Sequence, residues 1–296
     1  MTIVARTARP IEARVSRGLW SDASRRLLRN KPALVGLVLI VTFIGVAFLA
    51  PLVAPYGPYE QRVGGSLEPP GAAHLFGTDL LGRDMFSRVL FGAQISLQVG
   101  VIAVLMALTM GGIIGSLAGG LGGRVDSVLM RTVDVLLAIP GILLAIGIIA
   151  WLGRGMLQLM LAIAITYAPI FARLLRGSLL ALRESDYVIA ARALGASRAR
   201  LLARHMLPNA LTPLIVQATL ILATAIIDIA GLGFLGLGPP DPRTPEWGTM
   251  LVDARRFLQT APHIVFFVGG AIVVSAIGFN LLGDGLRESL DPRLKR

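Results

Sequence analysis

The sequence of 296 residues contains no cysteine, only two lysines and only three histidines. Without cysteine, the chain can form no disulfide, no thiolate nucleophile and no cysteine metal site. Neither Lys31 nor Lys295 follows a glycine-rich phosphate loop of the G-x-x-x-x-G-K-[ST] kind, so that device for binding ATP is absent. The histidines lie far apart, at His74, His205 and His263, and form no i, i+4 metal pair. We therefore expect no catalytic centre, no metal site and no bound cofactor in this chain.

Charge is also scarce. Charged residues make up 15% of the chain, against about 25% in a typical soluble domain, and the mean hydropathy is +0.74. Six stretches carry no charge at all: 32–59, 89–123, 135–153, 155–172, 206–227 and 264–283. Each is long enough to cross a bilayer as a helix, which takes about 17–25 residues, and none alternates as a barrel strand does. Six such runs are too many for the core of a soluble protein, so they predict an all-α integral membrane protein with about six transmembrane helices.

Among the few charged residues, basic ones outnumber acidic ones, and they are unevenly distributed along the chain. Lysine and arginine number 28 and aspartate and glutamate 17, for a net charge of +11. Nucleic-acid binding is disfavoured, because the basic residues are not interleaved with exposed aromatic residues. If the N-terminus is cytoplasmic, 21 of the 28 basic residues fall in segments on the cytoplasmic side. This bias follows the positive-inside rule and predicts that both termini are cytoplasmic.

The spans divide the chain into a basic tail, residues 1–31, and a six-span domain, residues 32–296. In the tail, Leu19, Trp20, Ala23 and Leu27 share one helical face, which predicts a short helix on the membrane surface. A disordered arginine-rich tail is the alternative for residues 1–15. The long connections of the six-span domain are two outside loops and one cytoplasmic hairpin: 55–88, 236–262 and 173–205.

Small and helix-breaking residues occur at defined places in the spans. The second span ends in four glycines spaced by four residues: Gly111, Gly115, Gly119 and Gly123. This spacing puts them on one helix face, where a neighbouring helix can approach closely, so we predict a packing role. Pro140 in the third span and Pro169 in the fourth each remove a backbone hydrogen bond and are expected to kink their helices.

Asp228 is the one acidic residue that stands out within the apolar segments, in the outer part of the fifth. We expect it either to bond to a neighbouring helix, the more favoured interpretation, or to line a cavity. Charges within spans are typical of proton relays and ion paths, so their scarcity here argues against a proton-coupled transporter.

The cytoplasmic hairpin has its own helix signals. Ser185 or Asp186 can cap a short helix that runs to Leu194, and Gly195 then permits a sharp turn. A second short helix is predicted from Ser197 to Met206. The first helix exposes small residues beside arginines, which would let it seat closely in a groove of another protein; an ordinary solvated loop is the alternative.

The hairpin sequence Tyr187-Val-Ile-Ala-Ala-Arg-Ala-Leu-Gly-Ala-Ser197, followed by His205-Met-Leu-Pro-Asn209, resembles the EAA loop of bacterial binding-protein-dependent ABC importer permeases. Other motifs are similar to the DppC/OppC branch of that family: Arg29-Asn-Lys-Pro-Ala-Leu-Val-Gly36, Phe76-Gly-Thr-Asp-Leu-Leu-Gly-Arg-Asp84, Phe234-Leu-Gly-Leu-Gly-Pro-Pro240, Glu246-Trp-Gly248, Asn280-Leu-Leu-Gly-Asp-Gly-Leu-Arg287 and Asp291-Pro-Arg293. The resemblance covers roughly residues 25–296 and implies the type I ABC importer permease fold.

The resemblance implies that the hairpin is a coupling helix that docks into a cleft of an ATPase subunit. Motif position or adjacency carries this role to six residues: Ala190, Ala191, Arg192, Gly195, Ala196 and Ser197. Two positions depart from the pattern. Ile189 stands where the family usually has a glutamate, so shape rather than charge is expected to matter there, and Asp228 stands where relatives often have a glutamate.

The resemblance further implies an assembly of a homologous second permease, two ABC ATPase subunits that hold ATP and Mg²⁺, and an extracytoplasmic substrate-binding protein. In it, the chain would be the permease subunit of an importer for dipeptides or oligopeptides in the bacterial cytoplasmic membrane, and it would not itself be an enzyme. The same branch also serves nickel, glutathione and antimicrobial peptides. A secondary transporter, which needs no ATPase, is the less favoured alternative.

Overall fold

The computed structural model describes residues 25–241 and 243–290, and within them the regular structure is helical, with a single isolated β-bridge between Thr78 and Asp84. After a helical turn at residues 25–29, the helices are α1 Lys31–Val53, α2 Met85–Leu121, α3 Gly123–Ala138, α4 Gly141–Leu152, α5 Met156–Arg183, α6 Asp186–Ala193, α7 Leu207–Leu232, α8 Trp247–Ala254 and α9 Pro262–Leu290. Turns of π-helix extend α7 at both ends, at Leu201–Met206 and from Gly233, so that helical backbone runs from Arg198 to Leu235. Gly236, with a φ of +78°, then breaks the helix. The predicted surface helix of the tail lies largely outside the described residues.

Five helices are long and apolar enough to cross a membrane: α1, α2, α5, the extended α7 and α9. The third predicted span is broken, because α3 and α4 meet at an angle of 98°. Ile139 precedes Pro140 and is extended, with φ −88° and ψ 130°, as expected for a residue that a proline ring keeps out of the helical region. Pro140 was expected to kink one helix over 135–153; instead it ends one helix and begins another. Pro169, in contrast, lies within an unbroken α5.

The packing of α2 on α5 shows that α3 and α4 make one crossing together. Gly111 of α2 lies against Ala168, and Gly119, further along, lies against Leu179, so the two helices run parallel. The chain must therefore return to the opposite side of the membrane between them. Alone, α4 is too short for this, since its 12 residues span about 18 Å and the hydrocarbon core is about 30 Å thick. The described part of the chain thus crosses six times.

Helices α1 and α9 run antiparallel and bring the two described ends together. The Asn30 side chain donates to Glu288 at 2.6 Å, and its oxygen accepts from the Ala33 N–H at 3.1 Å to cap α1. Both ends lie on the side that carries residues 184–206, the hairpin side. Residues 54–84, 236–241 and 243–261 lie on the opposite side, the loop side. That the hairpin side is cytoplasmic stays the prediction made from the distribution of basic residues.

The glycine ladder packs as predicted at three of its four positions. A Cβ atom on Gly115 would lie 2.6 Å from the Ala172 carbonyl oxygen and 2.9 Å from the Leu175 Cβ, and Gly111 and Gly119 face α5 in the same way. The prediction is wrong for Gly123, which has no neighbour within 4 Å of such an atom and a φ of +58°. It begins α3 after Gly122, whose φ is +67°, so these two glycines turn the chain rather than pack it.

Helix α5 extends further than the predicted start of the hairpin at residue 173. The helix continues to Arg183, and two of its arginines pair with acids of α3. Arg176 donates to Asp126 through two nitrogens, and Arg173 pairs with the exposed Asp134. The bidentate, partly buried pair fixes geometry, whereas an exposed pair contributes only about 0–1 kcal/mol. The connection on the hairpin side therefore begins at Glu184.

Buried polar groups order the first connection on the loop side. Asp84 caps α2 by accepting from the Ser87 N–H at 2.7 Å, and it also lies 2.9 Å from the His74 ring nitrogen. Arg88, only 2% exposed, donates to the Pro58 carbonyl at 3.1 Å and lies 3.8 Å from Asp79. Residues 54–84 are therefore an ordered cap over the spans, although they contain no helix.

The second connection on the loop side contains α8, where the sequence predicts only a loop. Glu246, which is fully buried, caps α8 by accepting from the Gly248 and Thr249 N–H groups at 2.8 Å each. Trp247 donates to the Val89 carbonyl at 3.1 Å and packs on Phe43. Burial raises the pKa of Glu246 from 4.5 to about 7, although the two N–H groups act in the opposite direction.

The glycine ladder predicts that a glycine-to-alanine substitution in α2 lowers stability where the glycine faces α5. We expect Gly115→Ala to lower the melting temperature of the purified full chain in mild detergent, because overpacking typically costs about 1–3 kcal/mol. Gly112→Ala is the matched control, since an added Cβ there meets nothing within 4 Å and alanine favours the helix by about 1 kcal/mol. Equal melting temperatures for the two variants would contradict the packing role.

The buried Glu246 predicts a pH dependence. Between pH 4.5 and about 7 the unfolded carboxyl has lost its proton while the folded one retains it. The folded state then binds more protons, so its stability falls as pH rises, by at most about 1.4 kcal/mol per pH unit. We expect the melting temperature to decline across this range in the wild-type protein and to be flatter in Glu246→Gln. Parallel curves for the two proteins would show that Glu246 does not titrate there.

Candidate functional site

The candidate site on the hairpin side connects α5 to α7 through residues 184–206. Ser185 occupies the N-cap position of α6 with an extended backbone, but its hydroxyl donates to the Leu182 carbonyl instead of capping the helix. Asp186 places its charge in the first turn, where the helix dipole favours an acid. The short helix is thus tied back to the end of α5 at its beginning.

The turn at Gly195 is a Schellman motif. The Ala196 N–H donates to the Ala191 carbonyl at 3.1 Å, and the Gly195 N–H donates to the Arg192 carbonyl at 3.0 Å. Gly195 has a φ of +85°, a conformation that residues with a side chain adopt at a cost. The predicted sharp turn at Gly195 is confirmed, and helix α6 ends at Ala193, one residue before the predicted end.

The six residues predicted to dock divide between two faces of the hairpin. Ala190, Arg192, Gly195 and Ser197 are exposed. Ala191 and Ala196 are partly buried and pack against the core, as the hydrophobic contact of a Schellman motif requires. Ala191 and Ala196 therefore hold the turn together, and the other four lie on the surface of the hairpin.

Sequence reasoning gave Leu194 no role, yet it is the most prominent apolar side chain of the hairpin. It follows α6 directly and is 89% exposed. Ile189, at the position of the family's glutamate, is 48% exposed. Two exposed apolar side chains beside exposed alanines form a surface that is better suited to a partner than to water. The sequence signal for this surface is a run of small alanines followed by a leucine directly before the glycine of the turn.

Hydrogen bonds and a buried side chain join the hairpin to α7. Val188 is fully buried, the Tyr187 hydroxyl donates to the His205 carbonyl at 3.2 Å, and the Asn209 amide donates to the same carbonyl at 2.8 Å. Ser197 then caps the helical stretch that runs without a break from Arg198 into α7. The predicted second short helix, Ser197 to Met206, is therefore the first part of a long one, and a movement of the hairpin must also move α7.

A second candidate site lies within the membrane, where Asp228 of α7 faces the break between α3 and α4. The Tyr167 hydroxyl of α5 donates to Asp228 at 2.7 Å. Asp228, Tyr167, Thr166 and residues 136–141 surround a cavity of about 420 Å³. Asp228 thus bonds to a neighbouring helix and also lines this cavity, and its functional role stays a prediction. Sequence reasoning missed Tyr167, which lies 61 residues away on another helix.

Neither site has the donors of a metal centre. Among residues 25–241 and 243–290, no three histidine, aspartate or glutamate side chains converge in a way that could hold a metal ion.

The Schellman turn predicts that a β-carbon at position 195 loosens the hairpin. A non-glycine residue in this conformation costs about 1–2 kcal/mol, so Gly195→Ala should speed amide hydrogen exchange in residues 190–200 and leave the amides of α5 unchanged. Asparagine tolerates positive φ, so Gly195→Asn should have a smaller effect. Identical exchange in all three proteins would show that the turn carries no strain.

Comparison with known proteins agrees with this geometry. Residues 111–296 match the family described as the binding-protein-dependent transport system inner membrane component, and residues 18–70 match the N-terminal transmembrane domain of oligopeptide transport permease C. The chain is similar in fold to a structure of the MetNI methionine ABC transporter in inward-facing conformations, with a TM-score of 0.58 and 20% identity, over 70% of this chain and 98% of that one.

Curated relatives match over most of their length. The chain is 48% identical to the dipeptide transport system permease protein DppC of Alkalihalophilus pseudofirmus, over 93% of this chain and 90% of the relative. It is 42% identical to the oligopeptide transport system permease protein OppC of Bacillus subtilis, over 95% and 92%. It is 43% identical to the glutathione transport system permease protein GsiD of Pectobacterium atrosepticum, over 93% and 92%. The chain is a multi-pass protein of the inner membrane and belongs to the family of binding-protein-dependent transport system inner membrane components.

Proposed function

We propose that this chain is the transmembrane permease subunit of an ATP-driven importer that moves dipeptides or oligopeptides across the cytoplasmic membrane by alternating access. The hairpin carries the proposal: it is an ordered element with an exposed apolar tip, and it continues without a break into a membrane span. A chain that takes its energy from a separate ATPase needs such a direct connection between its docking surface and its spans.

The proposed assembly contains a homologous second permease, two ABC ATPase subunits on the hairpin side and an extracytoplasmic substrate-binding protein on the loop side. ATP and Mg²⁺ would be held by the ATPases, since this chain carries no phosphate-binding loop with a lysine. The hairpin side would then be cytoplasmic. Ala190, Arg192, Leu194, Gly195 and Ser197 would contact the ATPase, with Ala191 and Ala196 holding the turn behind them.

The mechanism follows from the path of the chain. Closure of the ATPases on ATP would displace the hairpin, and the displacement would pass into the span through the helical stretch that begins at Arg198. The far part of this helix carries Asp228, and its end packs against Glu246 and Gly248 at the start of α8. Movement on one side of the membrane would therefore change both the cavity at Asp228 and the packing on the loop side, which is the requirement of alternating access.

Peptides are the proposed cargo because similar permeases at 42–48% identity are named for dipeptides and oligopeptides. Glutathione, itself a small peptide, is the second candidate because a relative at 43% identity is named for it. Nickel would need a different recognition chemistry. Uptake of a labelled dipeptide, challenged with an excess of oligopeptide, glutathione or nickel, separates these cargoes.

The hairpin predicts the outcome of an affinity purification in mild detergent followed by mass spectrometry. The wild-type chain should recover a second permease and one or two ATPases. Leu194→Asp should still recover the permease but roughly tenfold less ATPase, because a charge placed in an apolar contact costs more than about 1.4 kcal/mol.

Leu194→Met is the matched control, since it retains an apolar side chain of similar volume and should recover the ATPase normally. Folding should be unaffected in both variants, because residue 194 is 89% exposed. Undiminished ATPase recovery with Leu194→Asp would contradict docking through the hairpin tip. A wild-type chain recovered alone from a well-behaved preparation would favour a secondary transporter.

A further inference from the structure

We propose that the cavity at the break between α3 and α4 binds the free ammonium group of the cargo, with the Asp228 carboxylate as its counter-ion. The inference rests on the proposed function and adds to it a cargo-binding site and the charge that this site selects.

Asp228 lacks a cationic partner within the described residues. Its hydrogen bond comes from the neutral Tyr167 hydroxyl, and no lysine, arginine or histidine nitrogen of residues 25–241 and 243–290 lies within 4.0 Å of it. The two acids of α3 differ in this respect, because Asp126 and Asp134 pair with Arg176 and Arg173. An unpaired carboxylate at membrane depth is costly and typically marks a substrate or ion path.

The cavity that Asp228 lines is large enough to hold part of a small cargo molecule. The cavity of about 420 Å³ is lined by Asp228, Tyr167, Thr166, Ile139 and the ends of both half-helices. This volume falls within the range of about 300–1,000 Å³ typical of small-molecule sites. It accommodates an ammonium group together with the first residue of a peptide, while the rest of the peptide would extend away from it.

Two further oxygens at the cavity, on Thr166 and Leu136, have lone pairs that can accept a hydrogen bond. The Thr166 hydroxyl donates its proton to the Ala162 carbonyl at 2.8 Å, which leaves the lone pairs of its oxygen free to accept. At the end of α3, Pro140 has no N–H to return to the Leu136 carbonyl, and the Ile139 N–H reaches it only at 3.4 Å. An ammonium group brings three donors and no acceptor, so it complements this set.

The charge that the cavity prefers follows from comparing the partial charges of the helix ends with the full charge of Asp228. The C-terminal end of α3 carries a partial charge of about −0.5 and the N-terminal end of α4 one of about +0.5, so the two half-helix ends at the break largely cancel. The full charge of Asp228 remains. One carboxylate with a hydroxyl is too few ligands for a divalent metal ion, which takes six or more oxygen ligands or a compact set of imidazoles and carboxylates. A monovalent organic cation fits better.

An ammonium site suits a permease for peptides of differing sequence. Every linear peptide with a free N-terminus carries this group, whereas its side chains vary. A single acid in this cavity can therefore recognise the ammonium group that all these cargoes share, whatever their side chains are.

The absence of cysteine makes the test direct. In the assembled importer, Ile139→Cys places a thiol on the cavity wall, at a residue that is 41% exposed. Its modification is followed by the mass of this chain, with 2-aminoethyl methanethiosulfonate as the cationic reagent and 2-sulfonatoethyl methanethiosulfonate as the anionic one. We expect a cation preference of roughly tenfold, which a unit charge nearby produces at an intermediate dielectric constant, and we expect Asp228→Asn to abolish it.

Two control variants distinguish the loss of the Asp228 charge from a change in the local structure. Tyr167→Phe removes the hydrogen bond but retains the carboxylate, so it should retain the cation preference, as should Asp228→Glu. A thiol at Ser178, which lines a different cavity beside Arg173, should give a ratio that Asp228→Asn does not change. If the ratio at Ile139→Cys is the same with aspartate and asparagine at position 228, the proposal is overturned.

Cargo protection completes the test. Millimolar alanyl-alanine should slow modification of Ile139→Cys, and N-acetyl-alanyl-alanine, which lacks the ammonium group, should not. Equal protection by both peptides, or by neither, overturns the ammonium site, and the second result is the one expected if Asp228 pairs with a basic group of the partner permease. ATP-dependent peptide uptake by the same complex is measured in parallel: its absence refutes the proposed function, whereas uptake without selective protection refutes the ammonium site alone.

Discussion

The close parallel contact between α2 and α5 determines the rest of the arrangement. Three glycines remove the side chains that would separate the helices, so Gly111, Gly115 and Gly119 bring the backbone of α2 against that of α5. Parallel neighbours need a connection that recrosses the membrane, and this connection is the pair of helices α3 and α4. Because the recrossing is broken at Pro140, a gap forms beside α5 and α7, and Asp228 faces that gap.

A second constraint is the length of the fifth crossing. Helical backbone runs from Arg198 to Leu235, where Gly236 breaks it, and is much longer than the hydrocarbon core of about 30 Å is thick. This helix joins the hairpin, the cavity at Asp228 and the buried junction at Glu246. Because these three sites share one continuous stretch of chain that crosses the membrane, a displacement at one of them can reach the other two.

Much of the fold could be predicted from the sequence. The uncharged runs located all six crossings, the glycine spacing indicated a packed face, and Gly195 marked the turn of the hairpin. The 98° angle at Pro140 was out of reach, because a proline sets only the local backbone and the direction after it depends on how α2 packs on α5. Helix α8 was missed because its cap is Glu246, which is not among the preferred N-cap residues. The contact of Tyr167 with Asp228 and the inward direction of Ala191 and Ala196 depend on tertiary packing, which spacing along the chain does not reveal.

The glycine ladder also restricts how this protein can change in length. Each residue of an α-helix turns the next by about 100°, so one residue inserted or deleted between Gly111 and Gly119 would rotate part of the ladder away from α5. The resulting clash would recur at every turn beyond the change. Substitutions on the other faces of α2 do not disturb this register, and the connection at residues 54–84 precedes the helix. Insertions and deletions in relatives should therefore collect in the connections, while the distance along the chain from Gly111 to Gly119 stays fixed.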